Sequence, residues 1–111
     1  MNNVNPATTL ITPDGIQLNE LKEAAELTIT TRNTTYHVTV VDPDTAQVRV
    51  RGGDFFPRDT LAQIAGSSLH SLIKPCGICV GYSIEFFVHG IRVRTSPVRD
   101  IRVLSGSRRA A

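Results

Sequence analysis

Tryptophan is absent from this chain, aromatic residues make up only 5% of it, and cysteine occurs twice in 111 residues. Each scarcity excludes something. Few aromatics leave little of the stacking platform that single-strand nucleic-acid binders build by interleaving rings with cations. Two cysteines are too few for the disulfide framework of small secreted domains. No apolar run approaches the roughly 20 residues a membrane helix needs. The opening MNNVNPATTLITPDG has neither a basic n-region nor an apolar run of signal-peptide length. These gaps predict a soluble, cytoplasmic protein. Catalytic signatures are missing too: the sequence holds no G-x-S-x-G elbow, no H-E-x-x-H pair and no phosphate loop. His37, on a strand face opposite Tyr36 and Val38, and His89, in a turn, read as solvated polar groups. The expectation is a protein without enzymatic activity and without a cofactor.

What is present fits one small domain. Hydrophobic residues make up 41% and charged residues 20%, an ordinary globular balance, and a chain of this length buries roughly two thirds of its unfolded surface. Residues 1–16 read as a disordered tail, 17–104 as a single β-barrel domain and 105–111, SGSRRAA, as a basic disordered tail. The net charge of +2 is unevenly spread. Residues 1–45 carry two basic and six acidic groups, whereas residues 46–111 carry ten basic groups, nine of them Arg, against four acidic ones.

Leu18 and Leu21, three apart among good helix formers with Asn19 as a cap, predict one or two helical turns over residues 18–25. From Glu26 the period changes to two. Leu27, Ile29 and Thr31 alternate with Thr28 and Thr30, and after an Asn33-Thr34 turn Tyr36, Val38 and Val40 alternate with His37 and Thr39, the pattern of a β-hairpin. Asp42-Pro43-Asp44-Thr45 is a turn, residues 47–51 are a third strand, and Gly52-Gly53 ends it. Residues 52–77 have no clean period; 58–65 suit a helical turn and 67–73 a short strand. A clearer hairpin follows, residues 82–88 and 91–95 around a His89-Gly90 turn. Ser96-Pro97 breaks the chain before a last strand at 101–104. About six short strands predict a small antiparallel barrel, since closure removes exposed edges.

The ending, a hairpin strand, a one-turn break over Thr95-Ser96-Pro97-Val98-Arg99-Asp100 and a final strand from Ile101, resembles the way SH3-like barrels finish, with a single 3₁₀ turn between the last two strands. The resemblance covers residues 82–104 and rests on layout. It implies a mainly β fold, an SH3-like, partly open barrel with a short N-terminal helical turn. The aromatic cluster of the SH3 peptide groove is missing here, so that activity does not follow. The spacing of Gly81, Ile84, Thr95, Ser96, Val98 and Ile101 is also similar to that of short uncharacterised bacterial β-rich proteins, which implies no activity.

Both cysteines lie in KPCGICVG, residues 74–81, as the pair Cys76 and Cys79. A redox dithiol sits at a helix N-terminus, which stabilises the thiolate; here VGYSIEFFV, a strand pattern, follows. A structural zinc takes four ligands, and His70 and His89 have no recognised spacing from the single C-x-x-C pair. The favoured reading is a pair of small semi-buried thiols beside a turn, with a structural zinc or redox site as the alternative. No metal ligand is assigned.

The remaining candidates are surface features. If the aliphatic residues of strands 47–51, 91–95 and 101–104 face the core, then Arg49, Arg51, Arg92, Arg94 and Arg102 face outward. On neighbouring strands they would form one basic face beside Phe55 and Phe56, suited to single-stranded nucleic acid, with Glu85 or Asp100 neutralising part of it. Phe86 and Phe87 must point to opposite faces, so one ring needs cover. Phe55, Phe56 and Phe87 are therefore candidates for an interaction surface. The sequence favours a non-catalytic binding or assembly module that contacts a protein partner or a second copy in a homo-oligomer, with nucleic-acid binding as the alternative.

Overall fold

The computed structural model describes residues 9–11, 14–69, 72–75 and 77–104. The strands are β1 (Thr9–Ile11), β2 (Gly15–Gln17), β3 (Glu26–Thr31), β4 (Thr35–Asp42), β5 (Gln47–Gly52), β6 (Phe56–Leu69), β7 (Leu72–Pro75), β8 (Gly77–Cys79), β9 (Ser83–Val88), β10 (Ile91–Arg94) and β11 (Val98–Leu104). Every pairing among them is antiparallel. One sheet runs in the order β1-β11-β3-β4-β5-β6-β9-β10, with β7 against β6 beside that path, and β2 pairs with β8 in a small second sheet. Parts of the segment read as a tail thus contribute β1 and β2.

The alternation at 26–42 does what its period dictates. Leu27, Ile29, Tyr36, Val38 and Val40 are buried while the threonines and His37 between them line the other face. Beneath the sheet, Tyr36, Phe56 and Phe86 meet as an aromatic cluster with ring centroids 5.2 to 6.3 Å apart, packed among Leu18, Leu21, Ile64, Ile78, Ile84 and Ile101. Each such side chain gains about 1.5–3 kcal/mol from full burial.

Four expectations are corrected. No α-helix forms among the described residues: residues 18–25 hold a single 3₁₀ turn, Leu18–Glu20. Leu18, Leu21 and Ala25 turn inward to the core, and Ala24, with a φ of 67°, donates its amide to the Val40 carbonyl. Tertiary burial overrides a local helical preference too short to stand alone. Among the described residues the ladder does not close into a barrel, because β1 and β10, at the two ends of the strand order, do not pair with each other. Isolated backbone bonds link the start of β9 to the approach to β11 instead, Gly81 N to Val98 O and Val98 N to Tyr82 O, both 2.8 Å. The expected 3₁₀ break before the last strand is absent, and β11 starts at Val98 with a bulge before Asp100. Finally, the stretch without a period contains the longest strand, 14 residues in β6. A register shift between Ile64 and Gly66 flips its alternation midway, which is why no single period is legible there.

Among the described residues no helix is long and apolar enough to cross a membrane.

Candidate binding surface

The registers place the outward arginines in separate groups. Arg102 pairs across β11, β3, β4 and β5 in the row Arg102, Thr28, His37, Arg51, so the two arginines stand three strand spacings, roughly 14 Å, apart. Arg49 continues the adjacent row Glu26, Thr39, Arg49, Leu61. Arg92 belongs to the row Gln47, Gln63, Phe87, Arg92, again three strand spacings from β5. The strands carrying these cations are not neighbours, because β11 crosses to pair with β3 while β10 stays at the far end of the sheet. Arg102 is also neutralised by Asp100, Nε to Oδ2 at 2.8 Å.

The candidate aromatics divide as well. Phe56, expected in a loop beside the cations, is 1% exposed; as the first residue of β6 it anchors the aromatic cluster and cannot stack on a ligand. Phe55, in the turn before it, is 61% exposed, and Phe87 is 36% exposed. Phe87 shares an open depression with Leu61, Gln47, Gln63 and His89 on the outer face of β5, β6 and β9.

Beside this depression lies a cluster that sequence reasoning only touched. The His89-Gly90 turn, with both φ values positive at 50° and 80°, makes a two-residue hairpin. It sets Arg92 opposite Phe87 and Arg94 opposite Glu85. The Arg92 guanidinium lies 5.2 Å from the Phe87 ring centroid, a cation–π distance. Glu85 is buried, its side chain 4% exposed, whereas both arginine side chains are 58% exposed. Its Oε2 accepts from Arg94 Nε and from the Ser68 hydroxyl, each at 2.5 Å. Among the described residues its Oε1 has no hydrogen-bond partner, and Arg92 Nε lies 3.7 Å from it. Burial pushes the Glu85 carboxyl up, but the Ser68 hydroxyl and the Arg94 and Arg92 guanidiniums outweigh it and hold the group below its ordinary range. Two guanidiniums therefore share one carboxylate, and their flanks face water.

Cys79 is half-buried in β8, its amide bonded to the Ser67 hydroxyl at 3.0 Å; Cys76, His70, Arg108 and Arg109 lie outside the described residues. No group of three or more His, Cys, Asp or Glu side chains gathers among the described residues. His37 is exposed on the outward face of its strand, and His89 is exposed in its turn. The chain matches no protein-family model, no curated protein and no solved structure.

Proposed function

We propose that this chain is a non-catalytic protein-binding module whose contact surface is the outer face of β6, β9 and β10. The observation that supports it most is the coincidence, at one end of the sheet, of exposed apolar side chains with a guanidinium pair. Leu61 is 48% and Phe87 36% exposed there, Phe87 opposite Arg92 with Arg94 two residues on, and Leu61 opposite Arg49. Aromatic and arginine side chains at the centre of a patch are the usual energetic anchors of a protein interface. Among the described residues the outer face of β3, β4 and β5 carries threonines, His37, Arg49 and Arg51 and no phenylalanine or tyrosine. Single-stranded nucleic acid is the weaker reading, since the arginines stand in groups several strands apart and two of the groups are shared with Asp100 and Glu85. The SH3-like layout plays no part in this assignment.

An unbiased displayed peptide library, selected on the intact protein, tests the reading. Leu61→Ser and Phe87→Ser should abolish capture of the selected peptides, while Arg51→Glu with Arg102→Glu, in the row away from Leu61, leaves it unchanged. Selected peptides that depend on Arg51 and Arg102 and ignore Phe87, or a library that yields none, would refute it.

A further inference from the structure

Within the described residues β10 pairs with β9 alone, so its other side is a free edge. Which backbone groups that edge offers follows from the hairpin. In an antiparallel pair, hydrogen-bonded and non-bonded positions alternate. Thr95 N donates to Ile84 O at 3.0 Å, which makes residues 95, 93 and 91 the ones that face β9. The N–H and C=O groups of Arg92 and Arg94 then point away from β9, to the open side. The same two residues carry the guanidiniums on the outer face.

We infer that the free edge of β10 takes an extended acidic segment of another protein, added antiparallel, with carboxylates at alternate positions opposite Arg92 and Arg94. Charge decides the occupant. For a second copy of β10 to satisfy the free groups of both edges, its residues 92 and 94 must pair with residues 92 and 94 here. Each such register, 92 with 92, 94 with 94 or 92 with 94, sets arginine directly against arginine, and like charges at facing positions destabilise a sheet. Acidic side chains at the same positions meet two guanidiniums that, among the described residues, have only the Glu85 carboxylate to share between them. Arg94 reaches Glu85 through Nε, which leaves the outer side of its fork for a carboxylate of the added strand. Strand addition supplies main-chain bonds and the alternate side chains supply the selection.

The inference rests on the protein-binding reading, and the test separates the two. The probe is a fluorescent peptide of about eight residues alternating Thr and Glu, followed by anisotropy with the full chain. Saturable binding is expected. It should fall by about tenfold or more in Arg92→Ala/Arg94→Ala, and Arg92→Glu/Arg94→Glu should prefer the peptide with Lys in place of Glu. N-methylation of the Glu amides, which face β10 in the proposed register, should abolish binding, and N-methylation of the Thr amides should not. That pair of peptides leaves the protein untouched, so the result does not depend on a variant folding. No binding, equal binding of the Lys peptide, equal loss from both methylated sets, or displacement of the peptide by single-stranded oligothymidylate overturns the inference. Peptides from the library that need Leu61 and Phe87 but carry no alternating acids would sink this inference and leave the broader reading standing.

Discussion

The β3–β4 and β9–β10 hairpins obey the same alternation and end as different objects. In β3–β4 both strands have a second neighbour, β11 on one side and β5 on the other. Its outward side chains are Glu26, Thr28, Thr30, Thr35, His37 and Thr39, and the threonines among them fit a pleated surface, the Thr30 and Thr35 hydroxyls 3.5 Å apart. In β9–β10 one strand is an edge, and its outward side chains are a buried carboxylate, two arginines and a half-exposed phenylalanine. Inward, β3, β4 and β9 feed one core, whereas on β10 Val93 is only partly buried and Ile91 is 66% exposed. The difference lies on the outer face and along β10, where one hairpin is scaffold and the other holds groups whose interactions are incomplete.

The comparison is broken most severely from the inside. Phe86→Ala should cost about 3–5 kcal/mol, read as a drop in urea midpoint, because its ring touches both Tyr36 and Phe56. Next comes the outer face itself: Glu85→Ala should cost about 1–3 kcal/mol by removing the acceptor of Ser68 and Arg94, against about 0.5 kcal/mol or less for Thr28→Ala on β3. Equal losses at the two positions would erase the distinction. A smaller effect is expected in acid. The folded Glu85 carboxyl titrates below its unfolded value, so its contribution is complete above the ordinary carboxylate range and is lost as pH falls through the lowered folded value. Glu85→Gln should remove that part of the acid-limb dependence in urea titrations across the range, and an unchanged dependence would contradict it. Last, Phe87→Ser should cost about 1 kcal/mol through the lost ring contact with Arg92 and lower β-propensity, well below the loss in Phe86→Ala, while abolishing peptide capture.

Much of the hairpin contrast is legible in the sequence. A His89-Gly90 turn dictates that Arg92 faces Phe87 and Arg94 faces Glu85, so the ion pairs follow by counting outward from the loop. The alternation from Glu26 likewise predicts which side chains enter the core. What escapes is long-range order. Nothing local says that β11 returns to β3 rather than lying beside β10, which is why arginines with the same parity land at opposite ends of the sheet. Ser68 as the partner of Glu85 is hidden for another reason: it follows the register shift in β6, past which simple alternation assigns the wrong face. The burial of Phe56 is missed because glycines and a proline around it read as a loop, whereas the chain re-enters the sheet there.

Amide exchange on the intact protein, residue by residue, tests the open edge without any partner. Ile91 and Val93, bonded to β9, should exchange slowly, while Arg92 and Arg94 exchange at rates near those of exposed amides. Protection of Arg92 and Arg94 equal to that of their neighbours would show the edge already paired and contradict the account.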